Sequence, residues 1–239
     1  MKIQNCFVVI WLLVFTLLTA EFSFAQSLKK PIKYYNEGNI AKAKEYIFKE
    51  LPSYPFDPGL NFVLANCYLK NPIGKSLDSA MLFNKQAANH YNAAGDSRLM
   101  ALLEYRISLD TIKSQARKID SLYYKRLSVQ EGTKGFKDYL ALFPDGEFKE
   151  VAEDKIYGID FQKATKLNSI DGYKEFLAKH PTAPQAQKTK VLIDSLVFVK
   201  ETASGGLENL EKFVAENPNH PNRNLVIEKI YQFKLGIGS

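Results

Sequence analysis

One short pattern returns three times in the second half of the chain at a fixed interval. Each copy has an apolar residue, an aromatic residue three positions later, an alanine two positions after that, and a proline at its end. Consecutive prolines of the three copies are 37 residues apart, at Pro144, Pro181 and Pro218. A period of about 20 to 50 residues indicates structural units stacked in a row, because one helix pair cannot bury its apolar face alone. The sequence therefore predicts a repeat protein of the all-α class.

A second element keeps the same interval and marks the other helix of each unit. It begins with an isoleucine at Ile119, Ile156, Ile193 and Ile230. We expect the first helix of each unit to run from near Gly135, Gly172 or Asn209 to just before the proline, and the second to begin about six residues beyond it. Turn-forming residues such as Asp145-Gly146 separate the two helices. These units make up the region 129–235.

Residues 31–91 carry a different helical-pair pattern. Ala43 and Ala80 allow two helix axes to approach, and Pro55 and Pro58 stop one helix and start the next. The pattern residues are Tyr34, Gly38, Ile40, Ala43, Ile47 and Pro55, then Leu64, Ala65, Tyr68, Ala80, Phe83 and Ala87. This region resembles two tetratricopeptide repeats, the second with a lengthened turn at residues 71–75. Residues 112–235 are similar to degenerate tetratricopeptide-like repeats of bacterial envelope proteins. The resemblance implies a right-handed α-solenoid of stacked helix hairpins.

The region 95–128 reads as connecting helices between the two repeat types. Asp96 or Ser97 is the expected N-cap of its first helix. A break is expected near residues 108–111, where Asp110 and Thr111 are both suited to cap a new helix.

The N-terminus has the features of a cleaved export signal. Lys2 precedes an apolar run over residues 7–20, and Ser23-Phe-Ala25 matches a small-residue cleavage site. The run is shorter than the roughly 18 to 20 residues that cross a bilayer. The sequence predicts that residues 1–25 are removed, that no transmembrane segment follows, and that the protein is periplasmic or associated with an outer membrane.

Composition narrows the classes of ligand. The formal net charge is +6, but lysines and arginines are scattered along the helices and form no nucleic-acid stripe. We therefore expect no nucleic-acid partner and only a mild attraction to anionic surfaces. Loss of residues 1–25 removes Cys6 and leaves Cys67 alone, so that no intramolecular disulfide is expected.

No residue cluster in the sequence indicates catalysis, a metal or a cofactor. Asp120 and Asp194 hold equivalent repeat positions and are expected to be solvated. His180 and His220 each precede a proline in a turn between helices, and neither has a second histidine at zinc-ligand spacing. Cys67 is expected to be a small packed residue with nothing nearby to lower its thiol pKa. The sequence predicts a protein that is not an enzyme.

The tetratricopeptide resemblance also implies a peptide groove, lined by the outward positions of each first helix. Asparagine and lysine would hold a peptide backbone or carboxylate there, and aromatic side chains would supply apolar contact. The equivalent positions here are Tyr35, Asn36, Phe62, Asn66, Leu69 and Lys70. Ordinary exposed or helix-capping roles are the alternative for these residues.

The expected function is a non-catalytic exported scaffold that binds envelope proteins or peptide segments. One alternative is the N-terminal helical module of a larger outer-membrane or peptidoglycan-associated protein. Its motivation is an apolar last helix, near residues 225–235, which also predicts self-association through the C-terminal end. A carbohydrate- or polymer-binding module is the other alternative, although most aromatic residues fall at repeat core positions.

Overall fold

The structure is a computed structural model that describes residues 27–70 and 75–236, and every element in these ranges is helical. The predicted all-α class is therefore confirmed. The export signal lies outside the described residues. The first helix, α1, is described over residues 27–36, and the others follow in chain order. They are α2 Ile40–Glu50, α3 Pro58–Leu69, α4 Lys75–Tyr91, α5 Asp96–Glu104, α6 Leu109–Leu127, α7 Lys134–Leu142, α8 Lys149–Leu167, α9 Ile170–Lys179, α10 Ala186–Thr202, α11 Leu207–Glu216 and α12 Arg223–Lys234.

The chain forms two compact units. Among the described residues, the first comprises those up to Leu127 together with Phe143–Phe148, and the second comprises Ser128–Leu142 and those from Lys149 onward. The predicted division into 31–91, 95–128 and 129–235 is based on the repeat pattern of the sequence. The grouping into compact units does not test that division, which stays a prediction.

Helices α1 to α6 of the first unit enclose one apolar core. Ala43 and Ala80 are fully buried, as the close approach of their helices requires. Pro58 is the first residue of α3, where its missing amide hydrogen costs nothing. Gly59 follows it, and a Cβ at this position would lie 2.6 Å from a methyl group of Leu102, so that only glycine fits without movement. The core consists of Leu28, Ala43, Ile47, Leu60, Val63, Leu64, Cys67, Ala87, Leu102, Ile107 and Ile112.

A buried amide network ties α3, α4 and α6 together. The Asn84 side-chain amide donates to the carbonyl of Ile112 at 2.9 Å and to the side-chain oxygen of Gln115 at 2.8 Å. Gln115 in turn donates to the carbonyl of Phe62 at 3.1 Å. The Asn84 side-chain nitrogen thus makes two hydrogen bonds, and the network holds the three helices in fixed positions relative to one another.

The helix starts in the connecting region differ from the expected ones. Gly95 is the N-cap of α5 and makes no side-chain capping bond, so neither Asp96 nor Ser97 caps it. Ser108 caps α6, because its hydroxyl accepts from the Thr111 amide at 3.3 Å while the Thr111 hydroxyl accepts from the Ser108 amide at 2.9 Å. Such a reciprocal pair satisfies two amide groups at once, which neither single cap would do.

The second unit repeats one arrangement at the interval found in the sequence. Its three second helices begin 37 residues apart, at Lys149, Ala186 and Arg223. Each first helix ends two residues before its proline, and each second helix begins five residues after it. Helices α7 to α12 each pack against their neighbours in sequence. The helix limits predicted from the period agree with these.

Aromatic pairs recur at equivalent positions of the second unit. The rings of Phe161 and Phe176 lie edge to face with centroids 5.5 Å apart, and those of Phe198 and Phe213 lie edge to face at 5.7 Å. Each pair joins a second helix to the first helix that follows it. The 37-residue interval of the sequence is therefore also the interval at which this aromatic contact repeats.

The expectation that Asp120 is solvated was wrong. Its side chain is buried, and its carboxylate accepts the backbone amide of Glu147 at 2.8 Å. This contact joins α6 to the 143–148 segment, where Phe143 also packs on Tyr123 with ring centroids 5.2 Å apart. Asp194 is half-buried, and its backbone carbonyl accepts from His220.

Candidate functional site

The predicted groove residues of α3 lie along one side of that helix. Phe62, Asn66 and Lys70 are four residues apart, a spacing that places side chains one above another on a helix surface. Asp57 fixes the start of the helix, because its carboxylate accepts the Leu60 amide at 2.7 Å. Phe62 and Asn66 are half-buried, and Lys70 is exposed at the C-terminal end.

Helix α1 contributes an aromatic ring to the same surface. The ammonium nitrogen of Lys70 lies 5.0 Å from the centre of the Tyr35 ring, within cation–π range. Burial raises the pKa of the Tyr35 hydroxyl, so this hydroxyl stays protonated and the uncharged ring faces Lys70. Asn36, the next residue, is exposed. The structure therefore brings Tyr35 and Lys70 together, and Asn36 follows Tyr35 at the end of α1. We call Tyr35, Asn36, Phe62, Asn66 and Lys70 the α1–α3 surface.

Leu69 does not belong to this surface. It is 7% exposed and therefore a core residue that offers no apolar area to a ligand. Its neighbour Cys67 is also buried, as expected. Burial raises the thiol pKa to about 11, although the ammonium groups of Lys44 and Lys70 act in the opposite direction. The expectation that nothing nearby lowers this pKa was therefore wrong, although burial outweighs the effect of both lysines.

A second cation–aromatic group lies on α2, α3 and α4, and sequence reasoning missed it. The Lys44 ammonium nitrogen lies 3.5 Å from the centre of the Tyr68 ring, and that ring stacks on Phe83 with centroids 5.8 Å apart. Tyr68 and Phe83 were predicted as packing residues. The partnership with Lys44 spans helices that are separated in the chain, so no local spacing signals it.

A basic cleft of about 530 Å³ separates α1 from α2. Four ammonium groups and one carboxylate line it, and the Lys30 nitrogen lies 5.1 Å from the centre of the Tyr46 ring. Its lining residues are Ser27, Lys29, Lys30, Lys33, Tyr46, Lys49 and Glu50. We call this set the lysine cleft. The excess of positive charge creates a local potential that attracts anions.

His180 and His220 form structural contacts in the second unit. His180 lies 2.7 Å from the carboxylate of Asp160, between the rings of Tyr157 and Phe176. His220 donates from Nε2 to the Asp194 carbonyl at 2.8 Å, and its Nδ1 accepts the Asn222 amide. His180 and His220 thus each join the turn after a first helix to the preceding second helix. Over residues 27–70 and 75–236, no group of three histidine, cysteine or acidic residues is placed to hold a metal ion.

Comparison with known proteins yields no relative from which a function is transferable. The chain matches no known family model and no curated protein. In the part of the chain that the structure describes, no helix combines the length and apolar character that a membrane crossing requires.

Proposed function

We propose that this protein is a non-catalytic, exported scaffold of the cell envelope that binds a protein or peptide segment through the α1–α3 surface. The supporting observation is the row of Phe62, Asn66 and Lys70 along α3, with Lys70 resting over the ring of Tyr35. A half-buried aromatic residue, an amide and a cation in line offer apolar contact, backbone hydrogen bonds and a carboxylate partner to one extended segment.

The packing around this row supports a preformed surface. Asn84 and Gln115 fix α4 and α6 against α3, and Gln115 bonds the carbonyl of Phe62 itself. A rigid surface loses little conformational freedom when a ligand binds. Protein binding without chemistry also fits the protonated, buried thiol of Cys67, which is unsuited to nucleophilic attack.

The remaining features of the proposal follow from the repeats and the N-terminal sequence. Consecutive packing of α7 to α12 supports a solenoid of hairpins, in which adjacent units present neighbouring helices to one ligand. The signal-like residues 1–25 support export to the periplasm or the inner side of an outer membrane. A role as the helical module of a larger envelope protein uses the same surface and remains the alternative.

The test is a quantitative cross-linking pull-down from native membranes with two matched double variants. Asn66→Ala/Lys70→Ala removes the amide and the cation of the α1–α3 surface. Lys85→Ala/Asn89→Ala removes the same residue types at the same spacing from exposed positions of α4. We expect recovery of a specific partner to fall at least tenfold with the first variant and to stay at the wild-type level with the second. Equal recovery with both variants would refute the proposed surface.

A second function, binding of an anionic polymer, is favoured by the lysine cleft. Lysine ammonium groups act as point charges for phosphate or carboxylate groups, and Tyr46 supplies one apolar wall. Calorimetric titration with polyphosphate at low and high salt tests this function. We expect affinity that falls steeply with salt and is lost in Lys30→Gln/Lys49→Gln. Affinity unchanged by that double substitution would exclude the cleft as the binding site.

A further inference from the structure

The lysine cleft gathers positive charge that its own side chains balance only in part. Lys29 and Lys33 of α1 are four residues apart, a spacing at which like charges on a helix repel each other. Lys33 pairs with Glu37 at 3.9 Å, but both side chains are exposed, so this contact offsets little of the repulsion. Two further lysines line the cleft, against one glutamate. A ligand that carries several anionic groups therefore relieves the repulsion better than a single anion does.

An aromatic stack fixes one wall of the cleft. The ring of Tyr46 stacks on the ring of Tyr34 with centroids 5.3 Å apart and planes 12° apart. A lysine lies over each ring: the Lys30 nitrogen is 5.1 Å from the centre of Tyr46, and the Lys42 nitrogen is 4.7 Å from the centre of Tyr34. The cation–π contact positions the Lys30 ammonium, whose three N–H donors allow it to bind an anion as well. The wall is thus organised before a ligand arrives, which lowers the entropic cost of binding.

The hydrogen-bonding groups of the cleft indicate what such a ligand must offer. Its lysines only donate, the carboxylate of Glu50 only accepts, and the hydroxyl of Tyr46 does both. An ionised polyphosphate presents acceptor oxygens alone, which Glu50 repels. A sugar acid presents a carboxylate to the lysines and hydroxyl donors to Glu50. A hydroxyl that donates to a carboxylate makes a charge-assisted hydrogen bond, which is stronger than a neutral one.

We propose that the lysine cleft binds an acidic polysaccharide, in which successive sugars carry a carboxylate and hydroxyl groups. This inference rests on the anion binding proposed above for the cleft, and it names the ligand class. Carboxylates of the chain bind the lysines of α1 and α2, while a sugar hydroxyl donates to Glu50. The cleft volume of about 530 Å³ falls within the range of about 300 to 1,000 Å³ that is usual for small-ligand sites, so a short stretch of the chain occupies it.

An acidic peptide is the other polymer that combines carboxylates with hydrogen-bond donors. Extended peptides are commonly held through main-chain hydrogen bonds to the edge of a sheet. The cleft lies between two helices, which present side chains to the ligand and no strand edge. This arrangement favours a chain whose donors are hydroxyl groups distributed around each sugar.

Calorimetric titration of the full chain tests the ligand class with four probes. They are tetragalacturonate, its neutral methyl ester, polyphosphate of matching charge and tetraglutamate. We expect saturable binding of tetragalacturonate and at least tenfold weaker binding of the methyl ester. Lys30→Gln/Lys49→Gln should weaken tetragalacturonate binding at least tenfold. Binding of every probe unchanged by that double substitution would overturn both this proposal and anion binding by the cleft.

Glu50→Gln separates a sugar-acid site from a general anion site. Loss of the negative charge should strengthen polyphosphate binding, whereas loss of the carboxylate acceptor should weaken tetragalacturonate binding at least threefold. The matched control is Glu45→Gln, which neutralises an exposed glutamate of α2 outside the cleft lining and should change both affinities less than twofold. Stronger binding of both ligands by Glu50→Gln would leave a general anion site and overturn the sugar assignment. Tighter binding of tetraglutamate than of tetragalacturonate to the wild type would assign the cleft to an acidic peptide and also overturn it.

Discussion

Breaking the buried ion pair between Asp57 and Arg98 is expected to cost more stability than breaking any exposed pair shown for the described residues. One carboxylate oxygen of Asp57 lies 2.6 Å from the Arg98 guanidinium, and the side chains are only 3% and 7% exposed. The other oxygen accepts the Leu60 amide at 2.7 Å and caps α3. Helix α3 carries the proposed binding row, so this pair anchors both the fold and the site.

Two single substitutions separate the charge from the cap. Asp57→Asn keeps an oxygen that caps a helix about as well as aspartate but removes the charge facing Arg98. Leaving a buried charge without its partner costs about 3 to 5 kcal/mol, whereas loss of a cap alone costs about 1 kcal/mol. We expect Asp57→Asn and Arg98→Met each to lower the free energy of unfolding by about 3 to 5 kcal/mol.

The double variant gives the decisive result. Replacing both charges leaves no isolated ion, so Asp57→Asn/Arg98→Met should be less destabilised than either single variant. Urea denaturation followed by far-ultraviolet circular dichroism measures all three. Glu175→Gln, which breaks the exposed pair with Lys179, is the control and should leave the midpoint unchanged. Additive losses in the double variant, or a loss below about 1 kcal/mol in Asp57→Asn, would refute the reasoning.

Three further outcomes follow from buried polar groups. Burial, reinforced by a 2.5 Å hydrogen bond to Asp78, raises the pKa of Tyr123 from 10.0 to about 12. The stability that the protonated Tyr123 hydroxyl contributes to the folded state is therefore fully present below pH 10 and is lost as the pH rises toward 12. Stability of the wild type should therefore fall more steeply than that of Tyr123→Phe in urea titrations over that range; parallel curves would contradict this. Asn84→Leu removes the amide that donates to the Ile112 carbonyl and to the Gln115 side-chain oxygen, and it should lower the free energy of unfolding by about 3 kcal/mol. Calorimetry measures this loss, and a loss below about 1 kcal/mol would contradict the expectation. In a Cys6→Ser chain, Cys67 should react with iodoacetamide at least a hundredfold more slowly at pH 8 than after denaturation, because its thiol is buried and has a pKa of about 11; similar rates would show that the thiol is accessible.

Periodic features of the fold were predictable from the sequence. The interval between Pro144, Pro181 and Pro218 reports helix pairs of equal length, and the helices end and begin at the corresponding places. Small residues at Ala43 and Ala80 likewise predicted close helix contacts, because packing density leaves no room for a larger side chain there. Such features depend on local spacing, which a sequence displays directly.

Contacts between residues far apart in the chain were not predictable in this way. Asp120 was expected to be solvated because it has a counterpart at Asp194, yet it binds the backbone of the 143–148 segment. The pairing of Lys70 with Tyr35 and the core position of Leu69 depend on how α1 meets α3. A single residue type on a helix does not specify its tertiary partner, so the groove positions transferred by resemblance were only partly available at the surface.

If the 37-residue interval is a structural unit, one interval can be excised and the remaining helices still fold together. Deleting residues 168–204 removes one period, and it joins Leu167 to Gly205, whose positive φ of 66° matches the 43° of Asn168 that it replaces. Helix α8 then meets α11, with Phe161 facing Phe213 in place of Phe176. Deleting only residues 168–185 removes α9 and leaves α10 without that partner.

Urea unfolding and helical content of the two deletion variants give the answer. We expect the full-period deletion to keep the wild-type helical content per residue and one cooperative transition, and the half-period deletion to lose both. Cooperative folding in neither variant, or equally in both, would contradict this expectation.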